Sequence, residues 1–289
     1  MTGWTLGIIG GSGIYELEGL EDRETLSIEG PFGPPSGALV SGRIGAARLV
    51  FLARHGAGHR IPPGEINARA NIDALKRAGC TDVLSLSAVG SLREDLPPGT
   101  FVAVDQYIDR TVGRPASFFG EGLVAHVSLA DPVCPRLSAL AAEAARGAGA
   151  KVVEGGIYLA MEGPQFSTRA ESELYRSWGC SVIGMTNMPE ARLAREAELP
   201  YASIAMVTDY DCWRVGERPV EVADILGVMH ANTTMAKDLV RRLALSLPQT
   251  RAPSPIDTVL DGAIITAPQA RDPAVAARLD AVAGRVLRG

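Results

Sequence analysis

Short apolar runs recur along this chain, and most give way at once to small, polar or charged residues. Thr5–Gly10, Asp82–Ser87, Phe101–Gln106, Ile157–Glu162, Ser181–Met185 and Ala202–Val207 have the length and content of buried strands. Ala38–Gly42 and Ala47–Ala53 read as a hairpin across Arg43–Ala46. Between these runs the apolar period changes to that of a helix. Ile66, Ala70, Ala74, Leu75 and Ala78 share one side of Glu65–Ala78, and Gly79 can take the left-handed cap. Leu137–Arg146 and Val222–Leu243 follow the same spacing. Thr168-x-x-Glu171 is a capping box, and Pro189 and Glu190 suit a first helical turn. Residues 23–37, rich in Gly and Pro, and 112–130 read as loops. Strands alternating with helices predict one α/β domain over residues 1–249. Residues 250–289 follow a Pro/Ser link and predict a C-terminal helix from Asp272-Pro273, an extension packed on the same domain.

Composition narrows the function. With 289 residues, 46% of them hydrophobic, the chain can bury a large core. A net charge of −5 and no basic run beyond Arg241-Arg242 argue against binding nucleic acid, which needs clustered cations to neutralise phosphates. No apolar stretch reaches the length of a membrane span, and the amino terminus lacks the basic start of a signal peptide. Cys80, Cys134, Cys180 and Cys212 show no C-x-x-C spacing, so a reducing, cytoplasmic setting without structural zinc is expected.

The strand ends carry the candidate chemistry. Ligands of open α/β sheets bind outside the carboxyl ends of strands. Gly10–Gly13 follows the first strand, with backbone N–H groups and the Ser12 hydroxyl available to an anion. Neither a dinucleotide fingerprint nor a P-loop fits these glycines. Arg54 and His55 follow another strand and suit an oxyanion, Arg by its planar fork and His by an N–H or a cationic ring. A metal bound by His55 and His59 would need a helix, which Gly56 and Gly58 disfavour. Ser87-Ala88 ends a third strand in the same manner. Asp209 and Asp211 close the last one. If the chain stays extended there, both carboxylates face one ligand, and their repulsion raises one pKa. By themselves they fit equally a solvated acidic turn or half of a divalent-metal site. Phe166 sits in a polar hinge, where it could stack on a base or plug a loop.

Taken together, GIIGGSGIY at 7–15, ARHG at 53–56, SAVGSL at 87–92, MEGPQFSTRAES at 161–172, GMTNMPE at 184–190 and VTDYDCW at 207–213 resemble the trimeric purine nucleoside phosphorylase family. The match runs in order from about residue 5 to 246. The resemblance implies a mixed, twisted α/β sheet with helices on both faces, and a homotrimer. It assigns phosphate binding to Ser12, Arg54, His55, Ser87, Ala88 and Thr186. It places Met185 under the ribose, Phe166 against the base, and Asp209 and Asp211 on the purine N7 and N6. His126 from an adjacent subunit, with Val222 and Ile225, would surround a 5′-methylthio group. Asn187 stands where animal members often have threonine.

The implied reaction is phosphate-dependent cleavage of 5′-methylthioadenosine, a step of purine and methionine salvage. Inorganic phosphate is a co-substrate, and no metal or organic cofactor is expected. Methylthioinosine and a broader range of purine nucleosides are alternative substrates. A non-catalytic anion-binding module and a nucleosidase using water are the rival classes.

Overall fold

The computed structural model describes residues 3–11, 14–214 and 222–288. Ser12 lies outside the described residues, as do the side chains of Val222 and Ile225. In chain order the elements are β1 (Thr5–Gly10), β2 (Glu21–Leu26), β3 (Leu39–Ile44), β4 (Ala47–Ala53), α1 (Ala68–Arg77), β5 (Asp82–Ser91), β6 (Thr100–Val104) and β7 (Gln106–Arg110). Then come α2 (Pro135–Gly147), β8 (Lys151–Glu154), β9 (Ile157–Met161), α3 (Arg169–Ser177), β10 (Val182–Gly184), α4 (Asn187–Glu196), β11 (Tyr201–Asp209), α5 (Val222–Ser246), α6 (Pro273–Arg278) and α7 (Gly284–Leu287).

The sheet is built around β5. It runs parallel to β1 and β11 and antiparallel to β10. From β1 the sheet extends through β4 and β3 to β2 at the edge. On the far side it branches. One branch passes through β11 to β6 and β8, the other through β10 to β9 and β7. Asp105 interrupts the single run from β6 to β7, and its carboxylate accepts the Gly156 N–H at 2.9 Å. The two halves of that run therefore pair with different branches, and the sheet curls closed through β5.

Period two in the strands divides the core into two layers. Ile8, Leu84 and Ile204 point to one face, where Leu137 and Ala141 of α2 meet Leu239 and Leu243 of α5. Ile9, Val83 and Ala205 point to the other, against Ile72 and Leu75 of α1 and Ala191 and Ala194 of α4. All are essentially inaccessible, and burying each large side chain contributes about 1.5–3 kcal/mol.

Three sequence expectations are corrected. Residues 23–37 are not wholly a loop, because β2 enters them. Its EDRETL segment is almost entirely exposed, so an edge strand forms by pairing with β3 and shows no apolar alternation. The run 101–106 is two strands. The C-terminal helix is two short ones, α6 and α7, because the chain turns after Arg278 and both Leu279 and Val282 are buried. Residues 263–272 pair with the irregular segment 122–126, and the rest of the C-terminal segment is anchored near the amino-terminal ends of two strands. Arg251 bonds the buried carboxylate of Asp82, which opens β5, and Arg285 bonds Glu198, which precedes β11, at 2.6 Å.

Candidate active site

Register alone gathers most of the candidate residues on one edge. Gly10 pairs with Ala53 and accepts the Arg54 N–H, so Gly11 and Arg54-His55 leave the sheet side by side. Ser87 pairs with Ala205 and Ala88 with Met206, next to the same edge. β10 runs antiparallel to β5 with Ile183 opposite Gly90. Continuing that register three residues brings Thr186 alongside Ser87. Thr186 precedes α4, and its hydroxyl makes no capping bond. The Ser87 hydroxyl is buried with no hydrogen-bond partner among the described residues. Two unspent hydroxyls beside the start of a helix are the donors an oxyanion requires.

Beneath them lies Tyr158, a residue the sequence did not single out. It is fully buried, and its phenol oxygen accepts the Thr186 N–H at 3.5 Å. An added Cβ on Gly184 would stand 2.0 Å from that oxygen. Glycine is therefore required there. Gly184→Ala must displace Tyr158 or Thr186, and a shift of this size is expected to raise the KM for phosphate by about 10²-fold. Initial rates against phosphate concentration check this.

Arg54 and His55 differ from the expectation of an open cationic cradle. Arg54 is buried, and its Nε and Nη2 hold Glu190 at 2.9 and 3.1 Å. Nη2 also donates to Ser85 Oγ at 2.6 Å, and Nη1 to the Leu86 carbonyl at 3.1 Å. One Nη1 N–H is left over among the described residues. The charge of Arg54 is thus already balanced, and Glu190, read from sequence only as an early helical residue, is its counter-ion. His55 Nδ1 is 2.8 Å from the Ile61 carbonyl. Burial first, then the Arg54 and His59 charges, press its pKa down to about 4, so the ring is neutral at pH 7. Its ring stacks on His59 with centroids 4.1 Å apart and planes inclined by 14°. Stacked faces do not converge two nitrogen lone pairs on one ion, which removes the metal reading of this pair.

The acidic pair is arranged by a bulge. Val207 pairs with Val89 and Asp209 with Gly90, so Thr208 is an extra residue in β11. The chain then turns back instead of remaining extended, with Asp211 at φ +55°. Asp211 N–H donates to Asp209 Oδ1 at 2.8 Å. The loop folds over Gly90, whose missing side chain leaves the room: a Cβ there would lie 3.0 Å from Asp209 Oδ1 and 3.4 Å from Asp211 Cβ. Thr208 Oγ lies 2.7 Å from Asp209 Oδ2 and 3.2 Å from the Val89 carbonyl. Ser172 of α3, fully buried, donates to Asp211 Oδ2 at 2.5 Å.

Both acids are pushed towards the protonated form. For Asp211 burial raises the pKa most, the Ser172 bond opposes it, and repulsion from Asp209 adds to it, giving about 6. For Asp209 burial raises it, against the Thr208 and Asp211 hydrogen bonds. Desolvation outweighs the mutual repulsion inferred from sequence.

The base-side residues assemble around the same loop. Cys212 Sγ is 3.2 Å from the Ser167 carbonyl, tying the acid loop to the segment that carries Phe166. Phe166 is 49% exposed, so it does not plug that loop. Met185 lies against Gly163, where a Cβ would fall 2.4 Å from its sulfur. His126 is exposed, and within the chain its N–H bonds the Ala263 carbonyl of the C-terminal segment. Asn187 is buried, with its amide 2.5 Å from Ser203 Oγ.

A hydroxyl-lined anion cradle and a buried acid pair, on one edge of a two-faced α/β sheet, define the class of an enzyme that works on a ligand between an oxyanion and a proton donor. The chain belongs to the phosphorylase superfamily, whose family model matches residues 5–244. It is 58% identical, over the full length of both chains, to the S-methyl-5'-thioadenosine phosphorylase of Bradyrhizobium diazoefficiens. It is 57% identical to that of Cereibacter sphaeroides over 98% of this chain and 99% of the relative. The crystal structure of a methylthioadenosine phosphorylase from an antarctic soil metagenomic library superposes with a TM-score of 0.91 at 41% identity, covering 98% of this chain and 99% of that one. A Schistosoma mansoni methylthioadenosine phosphorylase in complex with adenine gives 0.84 at 36%, covering 90% and 99%.

Proposed function

We propose that the protein cleaves 5′-methylthioadenosine with inorganic phosphate, releasing adenine and 5-methylthioribose 1-phosphate. The observation that carries this reading is the buried acid pair on the same sheet edge as the unspent Ser87 and Thr186 hydroxyls. Breaking the N-glycosidic bond builds positive charge on the sugar while its electron pair moves into the purine. The purine then needs a proton at N7, and the anomeric carbon needs an anion. Asp209 supplies the proton as general acid, an efficient role for an acid whose pKa is raised towards the working pH. Asp211 accepts the 6-amino N–H. Phosphate, held by Ser12, Ser87, Ala88, Thr186 and the last N–H of Arg54, attacks the anomeric carbon. His55 adds an uncharged ring beside it. Met185 lies under the ribose and Phe166 against the base.

Phosphate is a co-substrate in this scheme, and neither metal nor organic cofactor has a step to perform. We assign the protein to the cytoplasm and to a homotrimer. Ile265, 63% exposed, bonds the Val124 carbonyl through its N–H next to exposed His126, and this surface would suit a subunit contact. There His126, Val222 and Ile225 would meet the methylthio group. Light scattering of the purified protein tests the trimer.

The decisive experiment is a panel of methylthioadenosine, methylthioinosine, adenosine and inosine, each with and without phosphate. Adenine released from methylthioadenosine only when phosphate is present is the expected result. Equal release without phosphate would make the enzyme a nucleosidase, and no release would leave an anion-binding module.

The Thr208 hydroxyl fits both states of the acid. It donates to the Asp209 carboxylate, or it donates to the Val89 carbonyl and accepts the proton of the carboxylic acid. Thr208→Val removes a bond that favours the charged form, so the pKa of Asp209 rises further. Activity requires the protonated form, and the alkaline limb of kcat/KM is expected to move to higher pH. A pH–rate profile of the variant with its limb in the parental place removes Thr208 from this role.

A further inference from the structure

Arg114 leaves the irregular segment after β7 and enters the floor of the site. Its side chain is only 6% exposed. Nη1 donates to the Met185 carbonyl at 2.7 Å and to the Met188 carbonyl at 3.0 Å. Nη2 donates to the Glu162 carbonyl at 2.7 Å, and Nε to the Glu162 carboxylate at 2.9 Å. The second carboxylate oxygen of Glu162 accepts the Val112 N–H, which fixes the approach of the arginine.

One planar group therefore spans two loops. The first, 185–188, carries Met185 and Thr186 and needs outside support. Met188 has φ −117° and ψ 135° one residue into α4, so the turn that carries Thr186 departs from helical geometry. The second, 162–163, leads on to Phe166. Contact between Met185 and Gly163 is the apolar half of the same junction. Bonds from a charged donor to buried carbonyls are stronger than those between neutral groups. A lysine presents a point charge and cannot reproduce the fork.

We propose that Arg114 is a positioning residue. By holding the Met185 and Met188 carbonyls it sets the ribose contact and the Thr186 phosphate donor against the base-side loop. The proposal rests on the phosphorolysis reading of this site. Arg114 touches neither substrate, and it acts through the two loops it joins.

The test uses the full-length protein and the variants Arg114→Ala and Arg114→Lys. With methylthioadenosine, Arg114→Ala is expected to lower kcat by about 10²-fold and to raise the KM for phosphate at least about tenfold, the scale of an ångström-sized misplacement. Adenine binding, measured alone by calorimetry, should weaken less than phosphate affinity, because Asp209, Asp211 and Ser172 lie off the strut and only Phe166 is reached through it. Millimolar guanidinium or ethylguanidinium added to Arg114→Ala should restore part of kcat, which a general loss of folding would not allow. Arg114→Lys keeps the buried charge beside Glu162 and remains measurable if the alanine variant fails to fold. It should show the same rise in the phosphate KM, with circular dichroism unchanged. Parental kcat and phosphate KM in either folded variant overturn the proposal, as does equal loss of adenine and phosphate binding with no rescue. If the unmodified protein releases no adenine from methylthioadenosine with phosphate, the proposed function fails, and that result is separate from any difference between parent and variants.

Discussion

Asp209→Asn is expected to lower kcat for methylthioadenosine phosphorolysis by about 10²–10⁴-fold, the range assigned to a positioned general acid. Asparagine keeps the size and can donate a hydrogen bond to N7, but it cannot transfer a proton. The leaving purine must then depart as an anion in a buried site. The substitution also removes the charge that helps to raise Asp211, so the acid that remains ionises more easily. It is Asp211→Asn, at the 6-position, that admits 6-oxo purines, because an amide can present its N–H to a carbonyl that the Asp211 carboxylate repels. Sites that discriminate by buried polar matching reject the wrong partner by about 10⁴–10⁵-fold, so even partial relaxation is measurable. Asp211→Asn is the companion experiment. It should raise the KM for 6-amino nucleosides and change kcat less. A larger kcat loss in Asp211→Asn than in Asp209→Asn would exchange the two roles, and parental kinetics in Asp209→Asn would remove that residue from the site.

Glu190→Gln should destabilise the protein by about 3–5 kcal/mol, the cost of leaving a buried charge without its partner. Both side chains are under 5% exposed, and Glu190 also accepts the Tyr201 hydroxyl at 2.7 Å. An amide there turns a donor towards Arg54 or Tyr201, each of which brings a donor of its own. Chemical denaturation of parent and variant measures the loss. The double change Arg54→Met with Glu190→Leu replaces the ion pair by apolar groups of similar volume, and buried pairs exchanged in this way lose little stability. It should regain most of the loss while phosphate affinity stays low, because the Arg54 N–H is gone. A loss below about 1 kcal/mol in Glu190→Gln would mean that solvent reaches the pair.

The acid pair and the loops near it were visible in the sequence because they end strong apolar runs. Thr208-Asp209-Tyr210-Asp211 follows a strand whose burial is nearly continuous, and the break from apolar to acidic marks the sheet edge. What the sequence misread was the backbone between the acids. A bulge leaves no compositional mark, and the left-handed turn at Asp211 has no glycine to announce it. Arg54 looked like a ligand for a free anion because its partner lies 136 residues away. Glu190 has an ordinary local reading as an acid in a first helical turn, so nothing nearby pointed to its charge being used elsewhere. Tyr158 and Ser172 were hidden in the same way, each inside an element whose pattern it did not disturb. Ser172, within the quoted MEGPQFSTRAES, was the one with a signal available.

By itself the sequence determined the α/β class, the strand ends that carry chemistry, the family, and the residue types offered to an anion and a base. Apolar period and strand-end composition are local properties, and they survive in one dimension. Only the tertiary structure decided which charges remain available. It neutralised Arg54 with Glu190, kept His55 uncharged, raised Asp209 and Asp211 by burial, and set Arg114 across two loops. Each of these depends on distance and desolvation between groups far apart in the chain, and neither quantity exists until the sheet has closed.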